Sequence, residues 1–325
     1  MDEVRILFSD KTILITGGTG TLGSYFAEQL LRTNCKRIII FSRDENKQFL
    51  MQQQYKDKRV EYVIGDIRNL QRIESALCDV DYVNHAAAMK HVPIAEMHPM
   101  EAVETNLIGT QNVLLGCIHK KVKTVVCLST DKAISPTNCM GMTKGISERV
   151  MRSFACSSDS TNIICVRLGN VLGSRGSVIP LWRVQIAKHG KITLTDKKMA
   201  RFIMTYNEVF QLVEHAFANG CNGEIVVPHL AACNINDMAR VVCMHYGLDA
   251  DKDILVTGLR PGEKLYEELF TVEELTCIYQ NDKYYHIGSA SSDVVFSAIP
   301  YRSDNYPLLS SDELDMILRE NHLLI

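Results

Sequence analysis

Two adjacent ionisable residues, Asp131 and Lys132, follow an apolar run that ends in Ser129 and Thr130. A carboxyl group and an amine in one short segment can act as acid and base on neighbouring atoms of a single substrate. Such a pair suits an elimination, in which one group removes a proton and the other protonates a departing hydroxyl group. A second lysine, Lys144, lies twelve residues beyond Lys132. Taken alone, the dipeptide is more typical of an exposed turn with a salt bridge.

A glycine-rich segment near the start of the chain is the second candidate site. Glycines allow the backbone to approach a pyrophosphate, and the N-terminus of a following helix offers N–H donors and a positive dipole. Structural glycines are common, so the prediction depends on the apolar strand before the segment and the helix after it. The predicted dinucleotide-binding residues of this segment are Gly17, Thr19, Gly20, Thr21, Leu22 and Gly23.

The end of the second predicted strand should face the adenosine ribose of a bound dinucleotide. Arg43 and Lys47 could hold a 2′-phosphate, which favours NADP, whereas Asp44 could bind a free 2′-hydroxyl, as in NAD. A charged helix N-terminus is the alternative interpretation of these residues. We predict NADP as the cofactor and leave NAD open. Further predicted cofactor contacts, at the ends of the second, third and fourth strands, are Ser42, Asp66, Ile67, Ala86, Ala87 and Ala88.

These residues require a fold that brings the ends of several strands together. Short β-rich runs alternate with helical patterns from residue 11 to residue 130, which predicts right-handed βαβ crossovers and a parallel sheet. Ligands bind at the carboxyl ends of the strands in such sheets. The predicted elements are strands 12–16, 37–42, 60–65, 82–86 and 124–129, and helices 22–31, 45–55, 70–77 and 102–119.

The pattern becomes irregular after about residue 165, where Gly and Pro interrupt it. We therefore predict an α/β fold, a Rossmann-type doubly wound parallel sheet with a smaller C-terminal substrate-binding lobe. Residues 1–166 are assigned to the dinucleotide-binding domain, with discontinuous later additions, and residues 167–325 mainly to the substrate lobe. Ser310 and Glu313 have the spacing of a capping box before an apolar stripe, which predicts a terminal helix.

Composition narrows the class of protein. The 325 residues are 46% hydrophobic and 22% charged with a net charge of -3, so a full core is expected and nucleic-acid or membrane-surface binding is not supported. Eleven cysteines without a Cys-x-x-Cys pair favour free thiols in a reducing compartment. Neither a secretory pattern nor a long apolar stretch is present, so we expect a cytoplasmic protein with no membrane span. The spacing of the cysteine and histidine residues does not fit a metal site, so we also expect no bound metal.

Several motifs, in order, resemble the extended short-chain dehydrogenase/reductase family. They include the glycine spacing, Gly65-Asp66, the alanines at 86–88, Thr105-Asn106 and Lys144. Within that family the closer resemblance is to the nucleotide-sugar 4,6-dehydratases that act on UDP-N-acetylglucosamine. The stretches that carry this closer resemblance are residues 42–45, 85–93, 129–133, 167–171, 174–180 and 260–264.

The resemblance implies an internal redox cycle on UDP-N-acetylglucosamine. Hydride leaves C4, water is eliminated across C5 and C6, and hydride returns at C6. Asp131 resembles the acid and Lys132 the base, which requires a raised pKa for Asp131 and a lowered pKa for Lys132. Lys144 would bind the nicotinamide ribose, and Thr130 the sugar 4-oxygen. Met140 replaces the tyrosine of many members, so Asp131, Thr130 or a water must take the 4-hydroxyl proton; core packing is the alternative role for Met140.

Other residues resemble ligand contacts of the family. Asn106 and Ser129 are assigned to the cofactor, and Lys90 to the cofactor and to the sugar or diphosphate, which Asn170 would also reach. The remaining predicted substrate contacts, which would hold the diphosphate, ribose and uracil, are Arg201, Arg260, His91, Ser177, Val178, Pro180, Thr195, Met199 and Glu263. Arginine and glutamate near turns are often surface residues, which is the alternative for several of them.

The preferred function is a UDP-N-acetylglucosamine 4,6-dehydratase that also inverts C5 and gives the L-arabino 4-keto product. A retaining 4,6-dehydratase and a UDP-sugar 4-epimerase are the alternatives, although an epimerase should carry a Tyr-x-x-x-Lys pair and has no use for Asp131 and Lys132. A third alternative is an NADP-binding sensor or scaffold that has lost activity with its tyrosine. The resemblance also implies a homo-oligomer, either a hexamer or a dimer.

Overall fold

The computed structural model describes residues 6–281, 283–288 and 301–324. Residues 1–5, where no secretory pattern was found, lie outside the described residues. The strands are β1 (Thr12–Thr16), β2 (Arg37–Ser42), β3 (Val60–Ile64), β4 (Tyr82–His85), β5 (Thr124–Thr130), β6 (Asn162–Leu168), β7 (Asn170–Val171), β8 (Ile192–Leu194), β9 (Ala200–Met204), β10 (Ile225–Pro228), β11 (Ala231–Asn234), β12 (Ile254–Val256), β13 (Ile278–Asn281) and β14 (Tyr284–Ile287).

The α-helices are α1 (Thr21–Leu31), α2 (Glu45–Gln54), α3 (Leu70–Ala76), α4 (Val92–Met97), α5 (Pro99–Val103), α6 (Gly109–His119), α7 (Cys139–Cys156), α8 (Val178–His189), α9 (Tyr206–Asn219), α10 (Ile235–His245), α11 (Ala250–Asp253) and α12 (Ser311–Glu320). A π-helix covers Glu104–Ile108, and 3-10 helices cover Asp131–Ala133 and Glu274–Cys277.

A nine-stranded sheet carries the glycine-rich turn and the Asp131–Lys132 segment. Its strand order is β13-β14-β10-β6-β5-β4-β1-β2-β3. Neighbouring strands in the part of this order that runs from β10 through β6, β5, β4, β1 and β2 to β3 are parallel. In contrast, β14 is antiparallel to both β10 and β13. The chain leaves β1 toward β2 and β3 and then returns on the other side through β4, β5 and β6, so the strand order reverses between β1 and β4. The predicted α/β, doubly wound fold is confirmed, and this reversal is where such sheets bind ligands.

The central strands form where the sequence has continuous apolar runs. All five residues of β1 are buried, as are six of the seven residues of β5. Parallel strands covered by helices on both faces have this pattern. The strands and helices predicted before residue 102, and the strand at 124–129, begin and end within one residue of the observed elements.

The predicted helix at 102–119 is instead divided into α5, the π-helix and α6. Inside the π-helix, the carbonyl oxygen of Asn106 accepts hydrogen bonds from the hydroxyl groups of Thr110 (2.6 Å) and Ser147 (2.7 Å). Ser147 lies on α7, so this irregular turn links the helix to the element that carries Lys144. Turns of this kind are frequent at functional sites.

A second core lies in the C-terminal half of the chain. It is centred on the fully buried Trp182, whose indole N–H donates to the carbonyl of Thr193 at 2.7 Å. The predicted terminal helix is present as α12, with a complete capping box between Ser310 and Glu313. The predicted division after residue 166 falls inside β6, and α9, β10 and β14 pack on or pair with the large sheet, so this lobe is discontinuous in sequence.

Within the described ranges, no helix combines the length and apolarity that a membrane crossing requires. All eleven cysteines are free thiols.

Candidate active site

The predicted acid and base are adjacent in a buried turn. β5 ends at Thr130, and the chain enters the 3-10 helix at Asp131, whose side chain is fully buried. Asp131 Oδ1 accepts hydrogen bonds from Thr130 Oγ1 (2.8 Å) and Lys132 Nζ (2.9 Å), and Asn170 Nδ2 donates to Oδ2 at 3.3 Å. The structure therefore brings together four predicted site residues and excludes an exposed salt-bridged turn.

Glu267 is a member of this cluster that sequence reasoning missed. Its Oε1 lies 3.4 Å from Lys132 Nζ, and its side chain is buried. Lys264 Nζ lies 3.4 Å from Glu267 Oε2, and Arg201 Nε lies 3.8 Å from Oε1. The only signal in the sequence is an acidic residue three positions after Lys264, at the end of the last motif.

The electrostatic state of the pair agrees with one half of the prediction. Burial raises the pKa of Asp131, and the nearby Glu267 carboxylate adds to this rise while Lys132 opposes it. Burial lowers the pKa of Lys132, but the carboxylates of Asp131 and Glu267 outweigh burial and the net pKa is raised. The predicted lowered pKa of Lys132 is wrong for this state, because Asp131 and then Glu267 raise the pKa more than burial lowers it. Lys132 is an ammonium group here.

Lys144 and Met140 lie one turn apart on α7 and face different surroundings. Lys144 Nζ donates to the carbonyl of Leu128 at 2.8 Å, and burial lowers its pKa. Met140 is buried in a small apolar cluster with Ala95 and Ala102. Core packing therefore accounts for the methionine, and Lys144 alone of this motif retains a titratable group.

The glycine-rich turn fits a dinucleotide. Gly17 has a φ of +65°, and a Cβ at this position would lie 2.8 Å from Cα of Ala87, so only glycine allows the turn to approach the alanine segment. α1 begins after Gly20 without a side-chain cap and without an acidic residue in its first turn. Its N–H groups are therefore available to a pyrophosphate.

At the adenosine end of this site, the residues predicted to meet the cofactor already have partners within the protein. Asp44 caps α2 by accepting from the Lys47 backbone N–H (2.9 Å), and it also accepts from Lys47 Nζ (2.5 Å). These contacts form the charged helix N-terminus considered as the alternative, and the half-exposed Arg43, which lies 3.6 Å from the Asp66 carboxylate, is the remaining candidate for a 2′-phosphate. The Ile67 side chain is buried in the core against Gly109, and the contact of this segment with the cofactor stays a prediction.

Two residues that were predicted to bind the cofactor, Asn106 and Ser129, form hydrogen bonds within the protein. The Asn106 amide bonds to both backbone groups of Met89, at 2.8 and 3.0 Å, and to Thr143 Oγ1 at 3.1 Å. Ser129 Oγ donates to the Glu148 carboxylate at 2.5 Å. Both side chains are buried and already paired, because buried polar groups require partners. Asn106 thereby fixes the loop after β4, and its contact with the cofactor stays a prediction.

Three basic side chains from the two lobes meet beside the glycine-rich turn. Arg175, which was not predicted, donates from Nη1 to the carbonyl of Thr19 and from its backbone N–H to Thr21 Oγ1, both at 3.3 Å. Burial and the charge of Arg175 lower the pKa of Lys90. The His91 ring packs on the backbone of Gly176, where a Cβ would lie 2.1 Å from it. This cluster places positive charge beside the turn.

A second open helix N-terminus follows this loop. Ser177 precedes α8 without forming a side-chain cap, and its buried Oγ has no hydrogen-bond partner among the described residues. Val178 and Pro180 lie in the first turn, which contains no acidic residue. The structure therefore offers one anion-binding helix end to a dinucleotide and another to a second anionic ligand.

Other predicted substrate residues have protein partners. Arg201 is buried, and its Nη atoms donate to the carbonyls of Lys264 (2.7 Å) and Leu265 (3.2 Å), so its contact with a diphosphate stays a prediction. Arg260 pairs with Glu263 at 2.8 Å across a turn. The remaining predicted pair, Thr195 and Met199, is linked by a hydroxyl–sulfur contact of 3.7 Å. In the part of the chain that the structure describes, no group of His, Cys, Asp and Glu could hold a metal ion.

His85 provides a test of the buried network. Thr110 Oγ1 donates to the Asn106 carbonyl, so it must accept from His85 Nε2 (3.0 Å), which leaves Nδ1 to accept from Thr16 Oγ1 (2.7 Å). This arrangement requires a neutral imidazole, and burial together with Lys144 lowers the pKa from 6.5 to about 3.

We expect His85 to make the fold less stable as the pH falls below 6.5. Its imidazole then takes up a proton in the unfolded chain but stays neutral in the folded chain, because the pKa there is about 3. The cost is about 1.4 kcal/mol per pH unit, or roughly 2 kcal/mol at about pH 5. Urea unfolding of the wild type and of His85→Asn from about pH 8 to about pH 5 measures it. The difference between the two proteins should stay constant above about pH 7.5 and shrink toward pH 5; a constant difference throughout would contradict the neutral imidazole.

Comparison with known proteins identifies the family. The chain matches the family described as polysaccharide biosynthesis protein over residues 13–289. It belongs to this family. A solved structure, Pen from Bacillus thuringiensis, superimposes with a TM-score of 0.93 at 42% identity and covers 98% of this chain and 99% of that chain. A UDP-glucose 4-epimerase of Rickettsia prowazekii is 41% identical over 297 residues, which are 90% of this chain and 86% of the relative.

This member of the polysaccharide biosynthesis family also shares its fold with more distant enzymes. DesIV, a dTDP-glucose 4,6-dehydratase from Streptomyces venezuelae with NAD and TYD bound, has a TM-score of 0.72 at 23% identity, over 78% of this chain and 86% of that chain. The fold is that of the short-chain dehydrogenase/reductase type of nucleotide-sugar dehydratases and epimerases. These findings support an enzyme of that class.

Proposed function

We propose that the chain is a UDP-N-acetylglucosamine 4,6-dehydratase that depends on NADP and inverts C5. The buried Asp131–Lys132 pair at the carboxyl end of β5 is the observation that carries the proposal. Hydride exchange at C4 alone needs neither group, whereas removal of a C5 proton and a C6 hydroxyl needs a base and an acid within reach of adjacent carbons. Asp131 is fully buried and the Lys132 side chain is 21% exposed; withdrawing charged groups from water in this way is costly, which favours a chemical role for the pair.

The pair can supply both groups because it shares one proton. In the ion pair the proton resides on Lys132; its transfer to Asp131 across the 2.9 Å contact gives a neutral amine and a neutral carboxylic acid. The amine then takes the C5 proton, the acid protonates the departing 6-hydroxyl, and water leaves. The ion pair is thereby restored without a proton from solvent. The raised pKa of Asp131 favours this transfer, whereas the raised pKa of Lys132 opposes it.

A bound NADP would supply the hydride acceptor for C4 and the donor for C6. The open end of α1 and Gly17 would hold its pyrophosphate, and the buried Lys144 would bind its nicotinamide ribose. Met140 has no exchangeable proton, so an oxygen group must take the proton of the 4-hydroxyl. Thr130, whose hydroxyl group donates to Asp131 at 2.8 Å, would bind the 4-oxygen, and a water would take the 4-hydroxyl proton to solvent. The Lys132 ammonium formed by the elimination would protonate C5 after the sugar ring turns its opposite face toward it. Lys132 would then regain from solvent the proton equivalent that the 4-hydroxyl released.

The test is incubation of the purified protein with NADP and UDP-N-acetylglucosamine. Mass spectrometry should show a sugar nucleotide that has lost the mass of one water, and NMR should show the L-arabino configuration at C5. A D-xylo product would contradict the inversion alone. Binding of NADP without any product would identify a sensor or scaffold instead.

A UDP-sugar 4-epimerase is the second candidate, favoured by the name of the Rickettsia prowazekii relative. It requires a product of unchanged mass with C4 inverted, from UDP-glucose or from UDP-N-acetylglucosamine. The same incubation, repeated with both sugar nucleotides, separates the two candidates by mass.

Arg175 should slow the release of the cofactor because it bridges the loop before α8 to Thr19 and Thr21. We expect Arg175→Ala to increase the dissociation rate of NADP about 10-fold, the effect of one charged hydrogen bond. Stopped-flow fluorescence of bound NADPH measures the rate. Arg183→Ala, on the exposed side of α8, is the matched control; equal rates for both variants and the wild type would exclude this role.

A further inference from the structure

The segment that carries Arg260 and Glu263 is hydrogen-bonded to the segment that follows the acid–base pair. Lys264 Nζ donates to the carbonyl of Ile134 at 2.7 Å. The carbonyl of Gly262 accepts from Thr137 Oγ1 (2.9 Å) and from Asn138 Nδ2 (3.0 Å). These contacts join positions more than 120 residues apart in sequence, and they place residue 267 beside the pair.

Glu267 is the residue of this segment that contacts the acid–base pair directly, through Lys132. Its carboxylate is buried among the cations of Lys132, Lys264 and Arg201, at 3.4, 3.4 and 3.8 Å. A buried carboxylate is costly unless cations compensate it. The hydrogen bonds of Arg201 and Lys264 go mainly to backbone carbonyls that shape the segment. Lys132 is therefore the group on which the charge of Glu267 can act chemically.

We propose that Glu267 is a positioning residue that holds the Lys132 ammonium against Asp131 and sets the pH range in which the pair carries a single proton. The inference rests on the proposed dehydratase function. With two protons the pair has no base, and with none it has no acid, so activity should follow a bell-shaped pH profile.

The sign of the effect follows from the groups that face the pair. Burial raises the pKa of Asp131, and Glu267 raises it further; burial lowers the pKa of Lys132, and Asp131 and then Glu267 raise it, while Arg201 opposes them. Loss of the Glu267 charge therefore lowers both values. Both limbs of the profile should move to lower pH, and the alkaline limb, which reports Lys132, by about 1–3 units.

The pH dependence of water loss in Glu267→Gln, measured as kcat and kcat/KM on the NADP-loaded enzyme, tests the proposal. Glu267→Asp keeps the charge but withdraws it by one methylene group, so its limbs should lie between those of the wild type and of Glu267→Gln. Glu268→Gln removes the same charge one residue along, where among the described residues no ion pair with Lys132 is formed, and its profile should match the wild type.

A structural role alone would lower the amplitude of activity or the thermal stability without moving the limbs. Unmoved limbs in whichever of the two Glu267 variants folds would overturn the proposal, as would a shift toward higher pH. Failure of the wild type to release water from UDP-N-acetylglucosamine would instead contradict the proposed function, so the two failures are distinguishable.

Discussion

Replacing Lys132 with alanine is expected to reduce the rate of water loss from UDP-N-acetylglucosamine by about 100-fold or more, the typical effect of removing a positioned acid or base. The ammonium contacts Asp131 at 2.9 Å and Glu267 at 3.4 Å, so the variant loses both the base and the shared proton. The glycine-rich turn and Lys144 make no contact with Lys132 among the hydrogen bonds of the described residues. Binding of NADP should therefore be retained.

Mass spectrometry of the product gives the rate of water loss, and fluorescence titration gives the affinity for NADPH. Lys188→Ala, at an exposed position of α8, is the matched control and should behave as the wild type. Loss of cofactor binding together with activity would indicate that the variant is damaged as a whole. Water loss at close to the wild-type rate in Lys132→Ala would refute the central assignment.

The sheet was predictable from sequence because each central strand is buried on both faces. Continuous apolar runs such as 124–130 then mark strands without ambiguity, and the polar residues that follow them mark the ligand-binding edge. The division of the helix at 102–119 was not predictable, because it depends on the hydroxyl of Ser147 on a different helix. Local patterns do not contain contacts of this kind.

The same limit applies to the site. Asp131 and Lys132 are neighbours in sequence, so their proximity needed no tertiary information. Glu267 and Arg175 reach the site from segments more than 130 residues away from their partners, and sequence spacing does not encode that approach. The predicted pKa of Lys132 was wrong because the carboxylates of Asp131 and then Glu267 outweigh burial, and the contact with Glu267 is supplied only by the fold.

The position of a residue at the end of a strand does not by itself give its role, as Ser129 shows. It follows β5 as a ligand-binding residue would, but its hydroxyl group is bound to Glu148, which also pairs with Arg167. The side chains on the two faces of the sheet at the end of β5 therefore have different roles. Asp131 and Lys132 face the candidate chemistry, whereas Ser129 joins a buried ionic network, and this network accounts for the second large effect that we expect.

Arg167→Met should lower the free energy of unfolding by about 3–5 kcal/mol, the usual cost of removing one partner from a buried ion pair. Arg167 is fully buried and contacts Glu148 and Glu274 at 2.7 Å each, and it also donates to the carbonyl of Leu269 at 2.9 Å. Methionine fills much of the same volume but leaves two carboxylates and a carbonyl without their cation. Urea unfolding at neutral pH measures the loss.

Arg319→Met is the matched control, because Arg319 pairs with Asp315 on the exposed face of α12 at 2.6 Å and such pairs contribute about 0–1 kcal/mol. Adding Glu148→Gln and Glu274→Gln to Arg167→Met should recover part of the stability, since no uncompensated charge then remains buried. Equal losses for the two single variants would mean that the network is hydrated or relaxed in solution. Because Arg167 touches neither Asp131 nor Lys132 among the described ion pairs, the pH limbs of water loss should stay in place in the fraction of Arg167→Met that is folded, which separates this structural network from the one centred on Glu267.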